Sequence, residues 1–485
     1  MAPMSIRSLA DFLEKLDTAG QLRRVSVEIS ADQELAEVSR RVAQRHGPAL
    51  IFQKISGSQM PLAANLLATE HRIAIALGTE SLDAAANRLP GAAGGAQNGG
   101  WLDWLKAGFQ ASIDSFGPRA VRTAACQQVV RLGRDVDLTE LPAARLSHHD
   151  TQSSLLGACV ISSGPDGGER ALGTFDLPII DRSRLAIRWG PHDPIGRQFA
   201  ACRAAGVKLP VAVILGGAPS LNIAAVAAPR EPALDPLLLA GLLGAEAVDV
   251  VSCRTVALQV PAEAEIVIEG TIDPQAAPLT DAAPGTCGGF GLLPSDAYEI
   301  QVSALTQRSM PLATVAVPHA PPNEASALAR AVARLWLPAT RRLIPALVDL
   351  DLPATTRAGQ MAVLSIRKQF PGQARQVAAA WWGQPATATT KIIVVVDADV
   401  EVSDTAVVWS EVAAQADPSR DVFCFDGPID HRDFSASNVA IGPRIGIDAT
   451  TKLPDEQSRG WPHRTIASED ARCRVETLWR TLGWE

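Results

Sequence analysis

Residues 391–396 read KIIVVV, and this run constrains the chain more than any other stretch. An unbroken β-branched run offers no polar face to water. It therefore predicts a strand covered on both sides, as in a parallel sheet packed between helices. The surroundings fit. Residues 326–335 predict a helix upstream, the strand ends in Asp397-Ala-Asp399, and a second helix follows over 404–415. The tail, 468–482, predicts a terminal helix with Val475, Leu478, Trp479 and Leu482 along one side. A C-terminal α/β domain follows from that alternation.

The first hundred residues alternate in a similar way. Ser8 caps a helix over 8–17 with Asp11 three places on, and Leu9, Phe12, Leu13 and Leu16 share one face. A helix near 33–46 leads into strands at 49–52 and 62–66, which makes a small α/β domain. Residues 91–100, GAAGGAQNGG, form a loop or linker. They have neither the strand-to-helix setting nor the Lys-Ser/Thr of a phosphate loop. From about 120 to 320 short β-like runs recur, at 127–130, 156–162, 186–189, 211–215, 255–259, 265–269 and 313–317. One apolar helix near 236–243 interrupts them, and turn residues separate the rest, so the middle domain reads as β-barrel-like.

A chain of 485 residues has room for about three domains of ordinary size. With 47% apolar and 20% charged residues it can bury sizeable cores. The net charge is -8 with no basic block, which argues against nucleic acid and anionic membranes as partners. The start lacks a cationic segment followed by an apolar run, and no apolar run reaches about 18 residues. Seven scattered cysteines without a C-x-x-C pair read as free, mostly buried thiols of a reducing cytosol. The expectation is a cytoplasmic protein.

Several stretches together resemble the UbiD family of reversible carboxy-lyases. They are RSLADFLEKL at 7–16, AIRWGPHDPIG at 186–196, the segment 209–219, PAEAEIVIEG at 261–270, Thr306-Gln307-Arg308 and KQFPGQAR at 368–375. The closing signature is the most specific: DPSRD at 417–421, Pro428-Ile-Asp430 and GIDATTK at 446–452. The match runs nearly end to end and in order. The resemblance implies an N-terminal α/β domain over 1–115, a central split β-barrel of flavin-reductase type over 116–325, and a C-terminal α/β domain with an oligomerising tail helix over 326–485. It implies removal or addition of carbon dioxide at aromatic or α,β-unsaturated carboxylic acids. The family uses a prenylated flavin mononucleotide (FMN) whose phosphate sits on a divalent metal and potassium. The protein holds the flavin, orients the acid and moves one proton.

Carried across residue by residue, that site looks rebuilt. The metal-ligating Asn, His and Glu fall at Ala171, His192 and Pro236, with Asp235 beside the last. One imidazole does not satisfy a hard cation that wants several oxygens. The catalytic Arg falls at Asp176. A guanidinium about 4 Å from a carboxylate is worth roughly 4 kcal/mol at an effective dielectric of about 20, and an ionised aspartate opposes it by as much. The first catalytic acid falls at Asp281 and the second, the proton donor, at Thr286; a slip of one residue gives Ala282 and Cys287. A threonine hydroxyl is too weak an acid for that task.

Replacement candidates each have a plainer reading. Cys287 is a thiol acid or nucleophile, or a small filler among glycines. Asp281 is a buried general acid, or a solvated turn residue. His148-His149-Asp150 is a polar turn before it is a site with His192, because adjacent strand residues point to opposite faces. Asp397 and Asp399 read as structural, and Lys368 as a flavin-phosphate contact or a surface lysine. Three functions stay open: a divergent decarboxylase with weak or absent flavin and metal; a non-catalytic paralogue docking with a complete UbiD homologue; and a cofactor-independent enzyme using Cys287, Asp176 or His192. A homodimer or larger homo-oligomer through the tail is expected in each.

Overall fold

The computed structural model describes residues 6–483 apart from 91–100, 191–192, 229–233, 281, 283–284, 293–294, 431, 437, 439–440, 458, 463–464 and 466. The Gly-rich stretch 91–100 read as a linker lies outside the described residues. Near the N-terminus, Leu9–Thr18 forms the expected helix. The Ser8 hydroxyl accepts from the Asp11 N–H at 3.2 Å, and the Asp11 carboxylate accepts from the Ser8 N–H at 3.1 Å. Leu9, Phe12 and Leu16 are buried by it. The sheet beside this helix runs Leu22–Val25, Ala49–Phe52, Leu62–Ala64, Ala313–Val315.

The last of these strands corrects the reading of 313–317 as a barrel strand. Ala313–Val315 pairs parallel with Leu62–Ala64, so the chain returns from the barrel to complete the N-terminal sheet. Pairing partners far apart in sequence leave no local signal.

Six strands close the central barrel in the order Arg184–Ile187, Arg170–Asp181, Ser154–Ser163, Leu209–Leu215, Ile266–Ile272, Tyr298–Gln307, and back to Arg184–Ile187. Closure removes the unpaired edges an open sheet would expose. Val211, Val213 and Leu215 pack in one apolar cluster and Ala212 and Ile214 in another, so this strand is buried on both faces. That is why its sequence shows no alternation. Helix Pro236–Gly244 covers the outside.

Two other expectations shift. Val129–Leu132 pairs on the outer side of Tyr298–Gln307 instead of joining the ring. Of residues 255–259, read as a strand, 255–258 form the turn between Asp249–Ser252 and Gln259–Pro261, and only Gln259 lies in a strand. The Thr255 N–H and hydroxyl both donate to the buried Glu269 carboxylate, at 2.6 and 2.8 Å, and a side-chain acceptor replaces a sheet ladder there.

The C-terminal sheet runs Leu347–Asp351, Met361–Ile366, Ile392–Asp397, Ile441–Ala449, Val422–Pro428. Ile392–Asp397 is central and parallel to both neighbours, as its composition predicts. Among the described residues no helix is long and apolar enough to cross a membrane. All seven cysteines are free. Cys126, Cys159 and Cys202 are buried, Cys253 and Cys287 are partly so, and Cys424 and Cys473 are exposed, which revises the expectation of mostly buried thiols.

Candidate functional site

A cavity of about 550 Å³ opens between the barrel wall and the C-terminal domain. All six residues 171–176 line it, together with 285–288 and, from the C-terminal domain, Gln360, Asp430 and Arg432. The segment Arg188–Gly190 forms part of the rim, and Trp189 stacks on Tyr298 with ring centroids 4.6 Å apart.

Asp176 occupies the barrel wall because its strand meets a bulge. The register of Ser154–Ser163 slips between Leu155 and Ala158, and Gly157 there has φ +67°. A Cβ at Gly157 would lie 2.5 Å from the Ala316 Cβ, so both the conformation and the space require glycine. The bulge frees the Gly157 N–H, which donates to Asp176 Oδ1 at 2.8 Å. Burial pushes the Asp176 carboxyl up to about 6, against the Gly157 hydrogen bond and the field of Arg432. No other hydrogen bond reaches Asp176 among the described residues.

Cys287 sits on a two-stranded hairpin, Thr286–Cys287 against Phe290–Gly291. Gly288 and Gly289, at φ +57° and +84°, make its two-residue turn. Phe290 reaches the C-terminal domain, its ring centroid 4.8 Å from that of Phe434. Cys287 and Asp176 therefore line one cavity. Asp281 and His192 lie outside the described residues.

Arg432, which the sequence did not single out, comes from the opposite wall. Its Nε and Nη2 donate to the two oxygens of Asp430 at 3.0 and 2.8 Å, and the Asp430 carboxylate holds the guanidinium firmly protonated. The fields of Cys287 and Asp193 act in the same direction. Arg188, also unforeseen, donates to the Ala282 and Ser295 carbonyls at 2.6 and 3.3 Å. A third unforeseen residue is Glu324, at the start of helix Glu324–Leu335. Its Oε1 accepts from the Leu67 N–H at 3.0 Å, while Oε2 has no partner. Burial pushes this carboxyl up to about 7, opposed by the Leu67 N–H and by Arg72, which is itself wholly buried. No motif announces any of these three: Arg188 and Glu324 find their partners in segments distant in sequence, and Arg432, although bonded to nearby Asp430, reaches the cavity only through the fold.

The corner expected to hold metal is differently built. Ala171 offers no donor, and Pro236 opens the helix Pro236–Gly244. Asp235, expected as a residual metal ligand, is otherwise engaged. Its Oδ1 caps that helix through the Leu237 N–H at 2.9 Å, and its Oδ2 accepts from Arg170 Nη1 at 2.6 Å. Among the described residues no group of three His, Cys, Asp or Glu is arranged to hold a metal ion. Among the described residues the donors at this corner do not suit a metal-anchored flavin phosphate.

For Lys368 the surface-lysine reading is corrected. It is neither at the surface nor among the described lining residues of the cavity. Its ammonium lies 2.5 Å from Glu456 Oε2 and donates to Thr450 Oγ1 at 3.0 Å, inside the C-terminal domain. The 148–150 segment is a turn, as its plainer reading had it. The Asp150 carboxylate accepts from the Leu146 and Ser147 N–H groups, and the His148 and His149 rings lie 3.8 Å apart. Asp397 accepts from the Thr451 N–H and hydroxyl.

Three family profiles match the sequence. They are the N-terminal domain of 3-octaprenyl-4-hydroxybenzoate carboxy-lyase over residues 13–89, its Rift-related domain over 119–321, and its C-terminal domain over 326–449. Among solved structures the fold is similar to the closed form of the Sedimentibacter hydroxybenzoicus vanillic acid decarboxylase, with TM-score 0.84 and 23% identity over 98% of both chains. It is also similar to the Klebsiella pneumoniae 3,4-dihydroxybenzoic acid decarboxylase, with TM-score 0.77 and 21% identity over 98% of this chain and 100% of that one. A third is the UbiD-class enzyme HmfF from Pelotomaculum thermopropionicum in complex with FMN, with TM-score 0.76 and 24% identity over 96% and 98%.

Proposed function

This chain belongs to the UbiD family of carboxy-lyases, and within that family we propose that it is a rebuilt member, whose cavity takes a small carboxylic acid without metal-anchored prenylated-flavin chemistry. The observation that carries the loss of the family's chemistry is Asp176. It lies in the cavity wall where the family resemblance calls for an arginine, and burial leaves it without a cation bonded to it. An ionised carboxylate there opposes the binding of a carboxylate substrate, whereas the arginine would favour it. The engaged Asp235 and the missing donor at Ala171 support the loss of the metal. Aromatic acids are the favoured ligand class, since two of the structural neighbours are named for acting on substituted benzoic acids.

Two groups remain for chemistry in such a cavity. Asp176 can hold a proton near neutral pH, and Cys287 presents a thiol to the same space. The test is co-production with a flavin prenyltransferase, followed by absorbance and mass spectra of the purified protein. The expected result is a flavin-free protein that releases no carbon dioxide from vanillate, 4-hydroxybenzoate or cinnamate. A stoichiometric flavin spectrum, with turnover that disappears in Cys287→Ala, would overturn it.

A second reading, as a partner subunit, is favoured by the tail helix Glu469–Thr481. Val475, Leu478 and Trp479 on it, with Leu482 just beyond, are each about half exposed. Recovery of a complete UbiD homologue in a pull-down from the native host would support that reading. Recovery of the self-oligomer alone would count against it.

A further inference from the structure

Resting on the reading of the cavity as an acid-binding site, we propose that Arg432 anchors the ligand's carboxylate, so that anion recognition has moved from the barrel strand to the C-terminal domain. A guanidinium presents two edges suited to a carboxylate, one through Nε and Nη2 and the other through Nη1 and Nη2. Asp430 takes the first edge of Arg432 in a two-point hydrogen bond. Among the described residues nothing accepts from the second edge. The side chain lines the cavity and is 44% open to solvent, so an incoming anion can reach it.

The anchor is held in place before any ligand arrives. Gln360 Nε2 donates to Asp430 Oδ2 at 3.3 Å, which fixes the carboxylate that orients Arg432. Arg357 Nη2 donates to the Arg432 carbonyl at 2.6 Å, and its own guanidinium lies 5.1 Å from the centre of the Phe434 ring. Gly288 makes room for Arg357, because a Cβ there would come within 2.9 Å of its Cγ. The hairpin carrying Cys287 thus packs against the segment carrying Arg432. Rigid support of this kind lowers the entropic cost of binding.

The other cavity arginines are committed elsewhere. Arg170 is bonded to Asp235, Arg188 donates to two backbone carbonyls, and Arg197 has a partner of its own. Asp176 lines the same cavity within the field of Arg432 and sets the sign of a second effect. It opposes a bound anion when ionised, so removing its charge tightens binding.

Calorimetric titration of the full chain with benzoate tests the assignment, with benzamide as the uncharged control. The wild type is expected to bind benzoate and not benzamide. Arg432→Gln weakens benzoate at least about tenfold, and Asp176→Asn tightens it several-fold. Benzoate also slows iodoacetamide modification of Cys287, followed on its own peptide by mass spectrometry, in the wild type but not in Arg432→Gln. Unchanged thermal melting of Arg432→Gln excludes misfolding as the cause, and Arg432→Lys, which keeps the charge but loses the flat edge, restores only part of the affinity. Unchanged benzoate affinity in Arg432→Gln, or no benzoate binding by the wild type, would overturn the assignment. Unchanged affinity in Arg432→Gln leaves the acid-binding reading standing; no benzoate binding by a flavin-free wild type removes its aromatic-acid part and keeps the loss of flavin chemistry; a stoichiometric flavin removes the rebuilt-site reading itself.

Discussion

Two sets of carboxylates withdrawn wholly or partly from solvent behave in opposite ways in this molecule. In the C-terminal domain Asp421 and Asp448 share Lys452, whose ammonium is 3.4 and 3.1 Å from them and whose side chain is 1% exposed. Arg420 adds two hydrogen bonds to Asp421 at 2.9 and 2.7 Å, and Thr450 adds its N–H to Asp448 at 3.0 Å. Burial alone would raise Asp421, yet Arg420, the Asp417 backbone and Lys452 hold it below the usual carboxylate range. On the cavity side Asp176 is half-buried and Glu324 buried; backbone N–H groups are their only hydrogen-bond donors among the described residues, no cation is bonded to either, and both are pushed up. The lesson concerns what a strong signature encodes. The closing signature of the family resemblance, which contains Asp421, Asp448 and Lys452, builds a saturated ion network that holds a domain together. The cavity has the unsaturated carboxylates that can exchange a proton or meet a ligand.

The largest expected effect breaks the saturated set. Lys452→Met leaves two carboxylates buried without their shared cation, a loss of about 3–5 kcal/mol. Urea unfolding of this variant checks it, and a loss under about 1 kcal/mol would erase the contrast between the two sets.

Next come the cavity carboxylates, with the reverse sign. Asp176 rises from 3.8 to about 6 and Glu324 from 4.5 to about 7, so the folded protein binds the extra protons and its stability falls as pH rises through those intervals. At pH 8 the penalty is about 3 kcal/mol for each, at 1.36 kcal/mol per unit. Asp176→Asn and Glu324→Gln should therefore stabilise by that order at pH 8 and by little at pH 4. Urea midpoints at the two pH values decide; equal changes at both would mean that charge burial is not the cause.

Asp421→Asn sharpens the comparison from the other side. Its carboxylate is held low, so its contribution is present above pH 3.8 and is lost as pH falls through its folded value. The variant is expected to be less stable than wild type at pH 7 by about 1–3 kcal/mol, with the gap closing towards pH 3. The smallest effect belongs to the tail, which lies outside both sets. Leu478 is 52% exposed, so Leu478→Glu should change stability by under about 0.5 kcal/mol. It should nevertheless lower the mass seen by light scattering, if the tail assembles copies of the chain.

Local pattern was enough for much of the scaffold. The Ser8–Asp11 capping box, the buried strand at 392–397 and the helices at 236–244 and 405–415 are each legible because their cause lies within a few residues. The twelve-residue strand Arg170–Asp181 was not recognised as one, because Gly173, Asp176 and Pro178 interrupt its pattern and its partners lie elsewhere in the chain. The turn at 255–258 carries a strand-like pattern because the acceptor that replaces its ladder, Glu269, is fourteen residues from Thr255.

The candidate site divides along the same line. Sequence by itself determined that a carboxylate stands at 176 and a thiol at 287 in segments resembling a cofactor site, and that the donor expected at 171 is absent. Tertiary structure alone decided that Asp176 and Cys287 share one cavity, that Asp235 is taken by Arg170, that Lys368 is buried against Glu456, and that Arg432 faces the barrel from another domain. The physical reason is range. Capping and burial periodicity act over a turn of helix or a few residues of strand, whereas a side chain's charge state and partners depend on whatever distant segments fold against it.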